Sequence, residues 1–241
     1  MALSRRCFLR TAALGLAATA RLARGARRRK PNILFILADD LGWMDTAVYG
    51  SRYYQSPSID RLARLGMRFT DAYAANPLCS PTRASILTGK YPCRFAITTP
   101  AGHLPPQPER PLMPERAAPW VKVLCPRSRR FLPPGEITFA ETFKAAGYHT
   151  GFIGKWHLGV PPKYWPESQG FDVSFHGAPD PGPPSYFSPY RFRAGTVTDG
   201  PKGEYITDRV TAEACQYLEA HKDEPFLLCL WHYAVHAPFQ A

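Results

Sequence analysis

The chain has 241 residues, of which 45% are hydrophobic and 13% aromatic, so it is not a disordered polymer and can bury the core of one large α/β domain. Its net charge of +11 comes mainly from residues 1–30, which hold nine basic residues and no acid. The remainder carries 21 basic and 19 acidic residues, which argues against a nucleic-acid-binding protein.

The N-terminal segment has the features of an export signal. The basic stretch SRRCFLR at residues 4–10 precedes the short apolar run TAALGLAATA, which is too short to span a membrane. The paired arginines before Phe-Leu resemble a twin-arginine signal, which export machinery reads on folded cargo. We expect residues 1–30 to be a signal peptide with a basic linker, and the protein to be periplasmic or extracellular; a basic disordered tail is the alternative.

The first predicted strand is the continuous apolar run ILFILA at residues 33–38. Such a run indicates a strand that is buried on both faces, as in a parallel sheet. It leads directly into Asp39 and Asp40. Apolar residues at every third position then predict a short helix over 58–66, and residues 67–73 are expected to form a second strand.

The segment LCSPTRASILTG predicts a helix over residues 80–87 with Cys79 at its N-terminus. Outside the signal the chain has five cysteines, an odd number, and no Cys-x-x-Cys or Cys/His zinc spacing. Cys79 is either a packed structural residue or a thiolate nucleophile, although no histidine lies near it in sequence to act as a base. One helical turn separates it from Arg83, so the two residues should lie on the same side of the helix.

Residues 98–135 are rich in proline and lack periodicity, which predicts a surface loop or insertion and a candidate rim for a substrate. A second proline- and glycine-rich stretch covers residues 160–200. The remaining predicted elements are helices over 138–146 and 205–221 and strands over 149–153 and 226–231.

The alternation of strands and helices predicts an α/β fold with a mainly parallel, doubly wound sheet and helices on both faces. Ligands of such sheets bind beyond the carboxyl ends of the strands. Polar residues follow three predicted strands at that edge: Asp39 and Asp40, Lys155 and His157, and His236. Their convergence predicts a functional site.

The chemistry of this set indicates a pocket for a tetrahedral oxyanion. Two adjacent carboxylates at a buried strand end repel each other unless a cation lies between them, and a hard divalent ion such as Ca²⁺, or alternatively Mg²⁺, prefers oxygen ligands. A solvated Asp-Asp turn is the other interpretation. Arg83, Lys155 and His157 would add positive charge around the ion and stabilise an anionic group.

Four motifs in this order, PNILFILADDLG, CSPTRASILTG, GKWHLG and HAPF, resemble the type I sulfatases of the alkaline phosphatase superfamily. Cys79, Pro81 and Arg83 match the C-x-P-x-R signature, which is followed by the Thr-Gly pair at 88–89. The resemblance covers residues 31–241, apart from 98–135. It implies an alkaline phosphatase-like fold and a sulfuric ester hydrolase that acts on sulfate esters, among them sulfated carbohydrates.

The resemblance also implies a modified nucleophile. A formylglycine-generating enzyme would oxidise Cys79 before folding, and the hydrated aldehyde would attack the sulfur of the ester. Arg83 would orient this nucleophile, and His236 would contact sulfate near the leaving oxygen. The implied metal ligands are Asp39, Asp40 and Cys79, and the implied catalytic residues are Cys79, Arg83, Lys155, His157 and His236.

The chain also departs from the family pattern. Val235 stands where a proline often precedes the histidine, and no late Asp-Asn-Gly segment supplies further metal ligands. We therefore expect residues 31–241 to be the N-terminal part of a sulfatase catalytic domain, incomplete at its C-terminus. Two alternatives remain open: a phosphonate or phosphate ester hydrolase of the same superfamily, and a non-catalytic sulfate-binding protein.

Overall fold

A computed structural model describes residues 30–108, 111–177, 179–193 and 195–240. The chain divides into the units Met1–Pro31 and Asn32–Ala241, and the second contains all the helices and strands described below. The predicted signal peptide lies outside the described residues. Within them, no helix combines the length and the apolar character needed to cross a bilayer.

The central feature is a four-stranded parallel sheet in the order β1-β4-β2-β3. Its strands are β1 (Ile33–Leu37), β2 (His149–Gly154), β3 (Val173–His176) and β4 (Phe226–Trp231). The α-helices are α1 (Pro57–Leu65), α2 (Cys79–Thr88), α3 (Phe139–Ala145) and α4 (Ile206–His221). Short 3₁₀ turns cover Ala47–Tyr49, Pro92–Arg94, Pro162–Tyr164 and Pro166–Gln169.

Strand β4 explains why both faces of the sheet carry helices. All six of its residues are buried, and alternate side chains enter opposite cores. Leu227, Cys229 and Trp231 pack with residues of α2 and α3, whereas Phe226, Leu228 and Leu230 pack with residues of α4. The predicted doubly wound α/β architecture is therefore confirmed.

Local sequence fixes the helix that carries the cysteine motif. Pro81 lies in the first turn of α2, where its missing N–H removes no intrahelical hydrogen bond. Gly89 ends the helix with φ +67°, and its amide donates to the carbonyl of Ser85. Five of the ten residues of α2 are buried, so the helix is held firmly against the sheet.

Three details of the predicted elements are wrong. Strand β1 is not buried on both faces, because it is an edge strand of the described sheet and Leu34 and Ile36 are exposed. Residues 67–73 form no strand, since this run finds no strand partner among the described residues and Met67 stays largely exposed. The four-residue strand β3 was not predicted, because it lies inside the proline- and glycine-rich stretch.

The stretch 98–135 contains no helix or strand in its described part, as predicted. It is not confined to the surface, however. Leu132 is buried in the core, and Gly102 lies against the backbone of the loop that follows β2. The beginning of this stretch therefore contributes to the region where the polar residues converge.

Candidate active site

The polar residues predicted to converge do lie at one edge of the sheet. Because all neighbouring strands are parallel, the carboxyl ends of β1, β2 and β4 share that edge. Asp39 and Asp40 follow β1, and a cavity of about 220 Å³ is lined by both of them together with Cys79 and Arg83 of α2. This cavity is the centre of the candidate site.

Asp39 is a buried carboxylate between two buried cations. Its Oδ1 accepts a hydrogen bond of 3.0 Å from Nη2 of Arg83, and its Oδ2 accepts from the ammonium of Lys155. The Asp39 amide donates to the carbonyl of Ala234 at 2.9 Å, and its carbonyl accepts from Val235 at 2.7 Å. The β1–β4 pairing is thus extended past the strand ends and fixes the position of Asp39.

The electrostatics of this cluster keep Asp39 ionised. Burial alone would raise the pKa of Asp39, but the charges and hydrogen bonds of Arg83 and Lys155 outweigh it, so the pKa of this carboxyl is lowered. The opposite effect holds for Lys155, whose pKa is lowered mainly by burial. The buried cluster holds one anion, Asp39, and two cations, Arg83 and Lys155, so it leaves a net positive environment for a further anion.

Arg83 links α2 to the end of β2. Its Nη1 donates to the carbonyl of Lys155 at 2.5 Å, and its guanidinium lies 5.3 Å from the ring centre of Trp231. The side chain is almost wholly buried. The guanidinium is hydrogen-bonded through both terminal nitrogens and packs against the Trp231 ring, so its conformational freedom is small. It is therefore suited to orienting a neighbouring group.

Cys79 has a histidine neighbour after all. Its Sγ lies 3.2 Å from Nδ1 of His157, and Nε2 of that ring lies 2.8 Å from Nδ1 of His103. The absence of a nearby histidine in sequence was therefore misleading, because 78 positions separate the two residues that touch. In either neutral tautomer His157 connects Cys79 to His103 through one donor and one acceptor nitrogen.

The surroundings of His157 keep it neutral. The residue is fully buried, and burial followed by the charge of Lys155 holds the pKa of His157 well below its usual range. Its carbonyl accepts from the hydroxyl of Ser80 at 2.8 Å, while its φ of +58° turns the chain sharply. A neutral imidazole in this position can accept or donate a proton at the Cys79 side chain.

Asp40 and His236 form the open side of the site. The Asp40 side chain is 55% exposed, and its Oδ2 lies 3.7 Å from Nε2 of His236. The Nδ1 of His236 lies 2.7 Å from the carbonyl of Ala237, so Nδ1 is the donor and Nε2 is directed toward the carboxylate. The hydroxyl of Tyr186 lies 2.7 Å from the His236 carbonyl and supports this loop.

The donor set at Asp39 and Asp40 fits a hard divalent cation. Both carboxylates line the cavity that also contains Cys79, and carboxylate oxygens are the ligands that Ca²⁺ and Mg²⁺ prefer. The hydrogen bonds to Asp39 do not prevent this, because each carboxylate oxygen has a second lone pair. Calcium takes about 6–8 oxygens, so two carboxylates would supply only part of its coordination shell.

The structure thus brings together every residue that the sequence singled out, namely Asp39, Asp40, Cys79, Arg83, Lys155, His157 and His236, while their roles stay predictions. His103 was missed, because it lies in the proline-rich loop and no motif surrounds it. His232, the other histidine that follows β4, does not line the cavity, and its Nδ1 is buried without a hydrogen-bond partner among the described residues.

Comparison with known proteins identifies the family. The sulfatase family model matches residues 31–241. The chain belongs to the sulfatase family. It is 41% identical over 164 residues to N-acetylgalactosamine-6-sulfatase of Sus scrofa, an alignment that covers 68% of this chain and 28% of that protein.

Two solved structures support the same assignment. The crystal structure of Ps i-CgsB in complex with k-i-k-neocarrahexaose has 30% identity and a TM-score of 0.66, and the match covers 88% of this chain and 47% of that one. BT4656 in complex with its substrate D-glucosamine-2-N,6-O-disulfate has 29% identity and a TM-score of 0.64, with coverage of 88% and 36%. This sulfatase-family chain therefore spans less than half the length of each of these relatives.

Proposed function

We propose that the chain carries the nucleophile-bearing half of a sulfuric ester hydrolase that acts on sulfated carbohydrates. The single observation that carries this proposal is the position of Cys79, which lines one cavity with two carboxylates and Arg83 and touches the neutral His157. Membership of the sulfatase family supports the reaction. The substrate class is supported by the sugar complexes of two similar structures.

The nucleophile would be formylglycine, produced from Cys79 by a formylglycine-generating enzyme. The aldehyde carbon would be the former Cβ of Cys79, so the Sγ atom marks the position of the oxygens that replace it. The hydrated aldehyde would supply a hydroxyl that attacks the sulfur of the ester. Arg83 holds the nucleophile in place, because its own position is fixed by Asp39 and the Lys155 carbonyl. His157, 3.2 Å from the Sγ atom, would take the proton of the attacking hydroxyl, which displaces the alcohol from sulfur. It could equally take the proton of the second hydroxyl, whose loss expels sulfate and restores the aldehyde.

A calcium ion, or alternatively magnesium, would be held by Asp39, Asp40 and the modified Cys79. When bound there, such an ion would supply Lewis-acid stabilisation of the negative charge on a sulfate oxygen. Lys155 would contribute positive charge from within the site, and Nε2 of His236 would lie on the open side, beside the leaving oxygen. That placement agrees with the partial exposure of His236 and the burial of Lys155.

Export by the twin-arginine route is part of the same proposal. A cysteine that is oxidised in the extended chain must be modified before folding, and a route for folded cargo lets both steps finish in the cytoplasm. The final location would be the periplasm or the cell exterior. Residues 1–30 would then be removed or left outside the catalytic domain.

Turnover of matched esters tests the proposal. The exported protein, supplied with calcium, should hydrolyse an aryl sulfate and a sulfated glucosamine faster than the corresponding phosphate esters. Cys79→Ala should abolish turnover but keep sulfate binding, whereas Cys93→Ala, which changes an exposed cysteine, should leave turnover unchanged. Faster phosphate ester cleavage would favour the phosphohydrolase alternative, and binding without any turnover in the parent would favour a sulfate-binding protein.

A further inference from the structure

Three metal-ligating side chains meet at the opposite edge of the sheet. His149 begins β2, His221 ends α4, and Glu224 lies in the turn between α4 and β4. One ligand atom of each lies within 4.8 Å of the other two. His149 begins β2 and Lys155 directly follows its last residue, about 20 Å away at the rise of a strand, so this cluster is separate from the candidate active site.

The backbone holds the three residues in place. The His149 amide donates to the carbonyl of Pro225 at 3.0 Å, and the Glu224 amide donates to the carbonyl of His221 at 3.2 Å. The His149 and His221 rings stack with centres 4.9 Å apart and an angle of 27°. Nε2 of His149 lies 2.5 Å from Oε2 of Glu224. The main chain is therefore preorganised, and only exposed or half-exposed side chains remain free to adjust.

We propose that His149, His221 and Glu224 bind one divalent metal ion of the zinc, nickel or copper type. Two imidazoles and one carboxylate suit zinc, nickel or copper, whereas the oxygen donors at Asp39 and Asp40 suit calcium or magnesium. A zinc ion about 2.0–2.2 Å from each donor would bring the donors to roughly 3.3 Å from one another. The donor atoms now lie within 4.8 Å of one another, so their separations need to change by no more than about 1.5 Å. Water would fill the fourth position.

Such an ion would act as a clamp between two parts of the fold. It would join the first residue of β2 to the last residue of α4 and to the turn that leads into the central strand β4. Because an ion that binds only the folded state stabilises it by mass action, zinc should raise the melting temperature of the protein. The effect requires no participation of the catalytic cavity.

Cobalt is the appropriate probe, because its absorption reports the ligand type. The exported protein without a polyhistidine tag is titrated with Co²⁺ in excess Ca²⁺, which occupies oxygen sites. We expect one Co²⁺ with the visible bands of nitrogen and oxygen ligands, displaced by one equivalent of Zn²⁺. His149→Gln and His221→Gln should each weaken binding by at least about tenfold. Glu219→Gln, an exposed acid on the same helix, should not change it.

Two results would overturn the proposal. A thiolate-to-cobalt charge-transfer band would assign the ion to a cysteine, and Cys93, Cys125 and Cys215 are all exposed. Unchanged affinity in both histidine variants, with folding verified by circular dichroism, would also exclude the cluster. The spectrum of the parent protein does not depend on the variants, so it decides the matter even if a variant fails to fold.

Discussion

Asp39 and Asp40 are neighbours in the chain, but they lie in opposite environments. The Asp39 side chain is 6% exposed and paired with two buried cations, whereas the Asp40 side chain is 55% exposed and faces His236. The first belongs to a packed set with Arg83 and Lys155 that holds the site rigid. The second belongs to an open side that a ligand can reach. Asp39 thus stabilises the packing of the site, whereas the next residue, Asp40, is accessible to a ligand from solvent.

The largest expected effect is that of Asp39→Asn. This isosteric change leaves Arg83 and Lys155 as buried cations without their counter-charge, and breaking a buried pair from one side costs about 3–5 kcal/mol. Urea unfolding at neutral pH should show this loss of stability. If Asp39→Asn were as stable as the parent, the buried cluster would not hold the site together.

Acid should weaken the same cluster in a predictable direction. The folded-state pKa of Asp39 is lowered by Arg83 and Lys155, so its stabilisation is fully present above the unfolded value of about 3.9 and is lost as the pH falls through the folded value. Below about pH 4, stability measured by urea unfolding should therefore fall more steeply in the parent than in Asp39→Asn. Parallel curves for the two proteins would contradict this account.

Gly102→Ala tests how tightly the buried side is packed. An added Cβ would lie 1.9 Å from the carbonyl oxygen of His157, so the loop or the histidine must shift. We expect a loss of about 1–3 kcal/mol, as for other overpacked positions. Gly135→Ala is the matched control, since nothing lies within 4 Å of its added Cβ, and its change should stay within about 0.5 kcal/mol. Equal effects would show that the close approach is unimportant.

Asp40→Asn should have the smallest effect on stability and a clear effect on metal binding. An exposed side chain contributes within about 0.5 kcal/mol, but the loss of one charged oxygen ligand weakens calcium binding. Calorimetric titration with Ca²⁺ measures the effect on metal binding. Asp71→Asn is the control, because Asp71 is exposed and does not line the cavity. Unchanged calcium affinity in Asp40→Asn would remove this residue from the proposed metal ligands.

Much of the site can be predicted from the sequence, because its polar residues come soon after apolar strands. Asp39, Lys155 and His236 each come soon after an apolar strand, and a parallel sheet brings such ends to one edge. Contacts between distant segments were not readable in this way. The approach of His157 to Cys79 depends on how α2 packs, and His103 reaches His157 from a loop that has no periodic pattern.

The errors in the predicted strands also arise because contacts between distant segments cannot be predicted from local sequence. Apolar character alone does not give the order of strands, so the exposed side of the edge strand β1 could not be foreseen from ILFIL. Residues 67–73 have strand-like composition but no neighbouring strand to pair with in the described part of the chain. Strand formation requires a partner, and a partner is a property of the whole fold.

The mass of the tryptic peptide containing Cys79, taken from the purified protein, tests the central claim most directly. The account predicts formylglycine, so the peptide should have lost one sulfur and two hydrogens and gained one oxygen. It should also react with a hydrazide probe, as an aldehyde does. A peptide that retains its sulfur, in protein that still hydrolyses sulfate esters, would contradict the claim and would make Cys79 and His157 a thiol–imidazole pair instead.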